Sequence, residues 1–189
     1  PVINETMTEQ IQKNIIDKTI ESMKKEKITF KGFLYAGIML KDNTPYVLEF
    51  NARMGDPECQ PIMMRMESDL YDYIDASIDG TLSKMPPISW KKQSSVCVVL
   101  ASKGYPESYP KNEEILGLDI QDKDTFVFHS GTIRDDNKVL TSGGRVLGVT
   151  ALGDTLQSAI SNAYSRVDKI SWPSKYYRKD IGKKGLILS

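Results

Sequence analysis

Apolar residues recur at Ile11, Ile15, Ile20 and Met23, with Thr19 sharing the face, a helical spacing that predicts a first helix. Thr6 followed three positions later by Glu9 reads as its capping box, and Lys24, Lys25 and Lys27 suit the negative end of its dipole. Residues 33–40, FLYAGIML, form a nearly unbroken apolar run, too short for a typical helix and without polar alternation, which predicts a strand buried on both faces. Lys41, Asp42, Asn43 and Thr44 supply turn residues, and residues 46–51 alternate again, so the two runs predict an antiparallel hairpin. Asp56 before Pro57 reads as an N-cap with proline in the first helical position, and Pro61 predicts a kink soon after. A further helix is expected from Ser68, with Leu70, Ile74 and Ile78 on one face and Gly80 as its stop.

From Thr81 to Gln93 the periodicity is lost and Pro86-Pro87 intervenes, so the boundary between two compact units is placed there: 1–90 and 91–189. The second half reads as strand and turn. Strands are expected over 96–101, 125–133 and 146–151, with turns at Gly104-Tyr105-Pro106, at Asp135-Asp136-Asn137 and at Gly143-Gly144. Asp154 with Gln157 reads as the cap of a last helix that turns Leu156, Ile160, Ala163 and Val167 inward. A helix on an antiparallel sheet makes this an α+β unit.

The chain has 189 residues with 25 Lys and Arg against 25 Asp and Glu. Zero net charge argues against a partner held by phosphate neutralisation, so nucleic acid is not expected. No stretch approaches the 18 or so consecutive apolar residues of a spanning helix, so no membrane is expected either. Two cysteines 38 positions apart, Cys59 and Cys97, point to reduced thiols and a cytoplasmic setting.

The most informative text is VLEFNARMGDPE, residues 47–58. On a regular strand Val47, Glu49 and Asn51 share one face, while Tyr46, Leu48 and Phe50 share the other and are expected in the core. Glu49 and Asn51 then stand about 7 Å apart at their Cα atoms, close enough for a carboxylate and an amide oxygen to converge on one cation. That donor set suits Mg²⁺ or Mn²⁺ completed by nucleotide phosphates and water. Arg53 could clamp a phosphate in bidentate fashion. The turn at Gly55, Asp56 and Pro57 opens a helix whose N–H groups face an anion, or Asp56 could accept from a sugar hydroxyl or an amine. A strand with a polar end followed by a capped helix explains the same residues without any ligand.

The runs LYAGIML, VLEFNARMGDPECQ, SVCVVLASKGYPESYPK, FHSGT, SGGRVLGVTALG and YYRKDIG resemble, in order and spacing, the glycinamide ribonucleotide synthetase family of ATP-grasp ligases. The resemblance covers essentially the whole chain. It implies the C-terminal half of an ATP-grasp domain over 1–90, followed by a small α+β C-terminal domain over 91–189, the family's N-terminal domain and nucleotide lid preceding Pro1. It also implies joining of glycine to 5-phosphoribosylamine, with ATP split to ADP and phosphate by way of a glycyl phosphate. Glu49 and Asn51 inherit the metal role, Arg53 a catalytic one at the phosphate, and Gly55, Asp56, Pro57 and Glu58 the substrate end. Partners are then ATP, glycine, 5-phosphoribosylamine and the N-terminal part of the enzyme, in a monomer or weak homo-oligomer. Gly37, Ile38 and Met39 offer no second acidic ligand on the preceding strand, which puts a two-metal site in doubt.

Remaining candidates have plain structural alternatives. His129 lacks any nucleophile motif around it, and Gly143-Gly144-Arg145 is either a phosphate-binding turn or a hairpin turn with a surface arginine. Met63, Met64 and Met66 read as gap-filling core, and Cys97 as inert. Two other functions remain in play: a different ATP-grasp ligase or carboxylase of purine synthesis, against which YYRKDIG speaks, and a module that only docks on another part of the enzyme.

Overall fold

A computed structural model describes residues 3–187, which fall into two compact units: residues 3–55 with 68–88, and residues 56–67 with 89–187. Among the described residues the chain therefore crosses between units three times, at 55/56, 67/68 and 88/89.

In the first unit, α1 (Glu5–Ile11) runs through a π-helical turn (Gln12–Ile16) into α2 (Asp17–Lys25). Its cap is Asn4, whose side chain accepts from the Met7 N–H, so the Thr6 box expected from sequence is displaced by two residues. Asparagine competes for the same free N–H groups and here begins the helix earlier. The hairpin forms as expected from β1 (Tyr35–Lys41) and β2 (Thr44–Asn51). Asp42 and Asn43 both adopt positive φ, 50° and 58°, a pair of values whose twist matches that of the flanking strands.

The hairpin corrects two expectations. β1 is half-buried instead of enclosed on both faces, with Met39 exposed. Register also slips: Gly37 lies opposite Glu49 and Ile38 opposite Val47, leaving Leu48 without a partner on β1. The extra residue breaks the alternation, so Val47 and Phe50 line the same 390 Å³ cavity beside Ile15 and Met23 of the first helix. Tyr46, Leu48 and Phe50 thus do not form a core face, and Leu48 is 63% exposed. The unit is completed by α4 (Leu70–Asp79), capped by Asp69 and closed by Gly80 at φ 73°.

The second unit is built on a four-stranded antiparallel sheet in the order β4-β7-β3-β8: β3 (Ser94–Ser102), β4 (Thr125–His129), β7 (Arg145–Gly153) and β8 (Lys175–Tyr176). The long strand expected over 125–133 divides at Ser130-Gly131 into β4 and β5 (Thr132–Asp135), and β5 pairs with β6 (Lys138–Thr141) in a separate hairpin. Helix α5 (Leu156–Asp168) is capped by Thr155 with Ser158, one position after the expected Asp154 pair. It packs Ala159, Ile160, Ala163 and Val167 against Val96, Val98 and Leu100 of β3 and Val149 and Ala151 of β7. On the opposite sheet face, α3 (Cys59–Arg65) brings Gln60 against Gly148 and Cys97. Cover on both faces is why β3 and β7 read as unbroken apolar runs. Pro61 sits in the first turn of α3, where its missing N–H costs nothing, so no kink follows. The last element among the described residues is α6 (Lys183–Ile187).

Buried Arg166 pins the loop after β3: its Nη2 donates to the Gly117 carbonyl at 2.9 Å, and its Nε lies 3.8 Å from Asp122 Oδ2. Among the described residues no helix is long and apolar enough to cross a membrane.

Three substitutions test this packing. Leu100 is fully buried, and Leu100→Ala is expected to cost about 2–5 kcal/mol in denaturant unfolding, whereas Leu48→Ala should stay within about 0.5 kcal/mol. A Cβ on Gly131 would stand 2.5 Å from the Arg145 carbonyl oxygen and 2.6 Å from Gly143 Cα. Backbone on both sides cannot give way cheaply, so Gly131→Ala should lower stability by about 1–3 kcal/mol in the same assay.

Candidate functional site

The end of β2 positions Glu49 and Asn51 on one face, as the sequence predicts, and their side chains meet: Asn51 Nδ2 donates to Glu49 Oε1 at 2.9 Å. Val47 does not share that face, because the bulge at Leu48 turns it toward the first helix. Gly37 lies opposite Glu49, and a Cβ there would stand 3.0 Å from Glu49 Cγ, so the glycine leaves room for the carboxylate to lie across the strand pair. Among the described residues no group of three or more His, Cys, Asp or Glu is placed to hold a metal. The Glu49–Asn51 pair offers hard oxygen donors on an exposed strand end, which fits a Mg²⁺-like ion only if further ligands come from a nucleotide and water. Arg53 is exposed and its Nη1 donates to the Met54 carbonyl at 2.9 Å.

Gly55 is buried and ends the first unit's stretch; Asp56, Pro57 and Glu58 form a turn in the second unit. The Asp56-Pro57 peptide is cis, and α3 starts at Cys59 with Glu58 in the capping position. Asp56 is therefore not the N-cap and Pro57 not the first helical residue. What holds the turn is Arg145 at the start of β7: its Nη1 donates to the Asp56 carbonyl at 2.9 Å and to Asp56 Oδ2 at 3.2 Å. Gln60 Nε2 approaches Asp56 Oδ1 at 3.5 Å from the first turn of α3. The Tyr105 ring covers Gly144, where a Cβ would lie 2.0 Å from the ring, which places Tyr105 beside the base of Arg145. Partial burial works against the Arg145 charge, but Asp56 and Tyr105 outweigh it and hold the guanidinium more firmly protonated than usual.

The Gly143-Gly144-Arg145 turn is thus occupied with protein partners. Its amides also pack on the loop after β4, with the Ser142 and Gly143 N–H groups donating to the Gly131 carbonyl at 2.8 and 3.1 Å. Sequence reasoning left Tyr105 and Gln60 out of the site, and the link between Asp56 and Arg145 spans 89 positions that no local spacing signals.

Neither cysteine is activated. Burial pushes the Cys59 thiol up and Asp56 adds to it; for Cys97 burial raises it, a hydrogen bond with Thr150 lowers it, and Asp56 and Glu58 raise it again. His129 is exposed, its Nδ1 3.0 Å from Thr132 Oγ1. Met63, Met64 and Met66 are half-buried.

Comparison with known proteins bears on all of these residues. Residues 1–59 match the model of the phosphoribosylglycinamide synthetase ATP-grasp (A) domain, and residues 95–184 that of the phosphoribosylglycinamide synthetase C domain. A phosphoribosylamine–glycine ligase of Rhodopirellula baltica is 44% identical over 100% of this chain and 44% of its own length. That of Salmonella typhimurium is 46% identical over 96% of this chain and 43% of its own. The trifunctional purine biosynthetic protein adenosine-3 of Gallus gallus is 44% identical over 98% of this chain and 19% of its own. The crystal structure of phosphoribosylamine–glycine ligase from Thermotoga maritima superposes with a TM-score of 0.82 at 34% identity, over 95% of this chain and 44% of that one. The chain thus spans less than half the length of these relatives. With both family models matched in order and the same fold in the Thermotoga maritima enzyme, this chain belongs to the phosphoribosylglycinamide synthetase family.

Proposed function

We propose that this chain supplies the C-terminal portion of an ATP-dependent ligase that joins glycine to 5-phosphoribosylamine, giving glycinamide ribonucleotide, ADP and phosphate. Membership of the family and the names of its relatives support the reading, and one observation carries its site: Glu49 and Asn51 lie side by side at the end of β2. In this reading Glu49 and Asn51 would hold the metal through their side-chain oxygens. A Mg²⁺ or Mn²⁺ ion there would neutralise charge on the ATP phosphates.

Arg53, two positions on, adds a fixed positive charge and a planar fork of donors for the transferring phosphoryl group. The glycine carboxylate oxygen attacks the γ-phosphorus and ADP leaves, forming glycyl phosphate. The ribosylamine nitrogen then attacks the acyl carbon, loses a proton, and expels phosphate. No protein nucleophile takes part, which agrees with two thiols that burial keeps neutral and with His129 engaged by Thr132. The chain's contribution is positioning and charge compensation. Gly55, Asp56, Pro57 and Glu58 form the substrate end, with the Asp56 carboxylate as acceptor for an amine or a hydroxyl.

Glu49→Gln keeps the shape of the side chain and removes its charge. In the complete ligase it is expected to lower glycine- and phosphoribosylamine-dependent ADP formation by about 10²-fold or more, the loss typical of one charge-stabilising group. Near wild-type rates across a Mg²⁺ titration would remove Glu49 from the metal site.

A further inference from the structure

We infer that Arg145 is a positioning residue for the substrate turn, acting on the reaction through Asp56. This rests on the reading of residues 55–58 as the substrate end.

Arg145 contacts Asp56 twice, at the main-chain carbonyl and at the carboxylate, so one guanidinium fixes both the path of the turn and the direction of the side chain. Its own base is rigid. Every residue of β7 after it, from Val146 to Gly153, is buried, and β7 pairs with β3 on one side and β4 on the other. Beside the guanidinium, Tyr105 seats its ring where Gly144 has no side chain. Gly131 and Gly143 bring the two loops into backbone contact, which sets where β7 begins.

The pair is too exposed to serve stability. The side chains of Arg145 and Asp56 are 42% and 54% exposed, and such ion pairs contribute about 0–1 kcal/mol. A contact of little energetic weight, supported by a rigid strand and three close-packed glycines, is one whose value lies in geometry. Lysine reproduces it only in part, because both acceptors are reached by one nitrogen, Nη1, held by the planar guanidinium, whereas an ammonium on a flexible stem is not held in one place.

The test is a double-mutant cycle in the complete ligase, with KM measured separately for ATP, glycine and 5-phosphoribosylamine. Arg145→Gln is expected to raise KM for one of the two non-nucleotide substrates about 10-fold or more, to leave KM for ATP unchanged, and to shift Tm by no more than about 2 °C. Arg145→Lys should recover only part of the loss. Because Arg145 acts through Asp56, by its carboxylate and by a main-chain carbonyl that Asp56→Asn leaves in place, the double variant Arg145→Gln with Asp56→Asn should lose clearly less than the two single losses combined. Losses that add would mean that Arg145 touches substrate directly, and would overturn the inference. So would an Arg145→Gln enzyme of wild-type KM values beside an impaired Asp56→Asn, an outcome that leaves the substrate turn standing. Wild-type behaviour of Asp56→Asn itself would remove the substrate turn and the inference together.

Discussion

The antiparallel ladder between β3 and β7 is the constraint on which the second unit depends. Nine residue positions of each strand are committed to it or flank it, and both of its faces are covered, by α5 on one and α3 on the other. Such a ladder has no freedom to slide, since a slip of one residue would exchange the face that meets α5 for the face that meets α3. Side chains at its margins inherit that fixity. Arg145 is the first residue of β7 and Cys97 lies mid-strand in β3, which is why one is a rigid arm and the other an inert wall.

The first unit is governed by a smaller constraint, the extra residue at Leu48. A bulge consumes one position of β2 without a partner, and everything beyond it changes face relative to what precedes it. Glu49 and Asn51 lie beyond it and keep their mutual alternation, so their contact survives. Val47 lies before it and is lost from their face. The bulge therefore lets an apolar residue and a polar pair that alternate in sequence serve opposite sides of the hairpin.

Much of this was legible in the sequence where the signal was local. Asp42 and Asn43 announced the hairpin turn, unbroken apolar runs announced β3 and β7, and the Glu49–Asn51 spacing announced a side-by-side pair. Helix starts were misplaced by one or two residues: Asn4 is a better cap than Thr6, Thr155 caps α5 together with Ser158, and at α3 the Asp56-Pro57-Glu58 turn delays the helix to Cys59 with no side-chain cap from Glu58. The bulge was hidden because it follows from pairing with Gly37 and not from β2 itself. Asp56 and Arg145 were each singled out, yet nothing in either motif indicated that they would meet, since tertiary contacts across 89 positions leave no periodic trace.

The crossings between the units at 55/56, 67/68 and 88/89 bear on how the chain can be divided. Residues 56–67 belong with the sheet of the second unit although residues 68–88, which follow them, belong with the first. A fragment beginning at residue 91 would retain β3 and β7 but not α3, and so would present Cys97 and the strip beside Gly148 to water, along with an Arg145 deprived of its acceptor. The second unit is discontinuous in sequence: its autonomy as a folding module requires a helix that the chain delivers before it has finished the first.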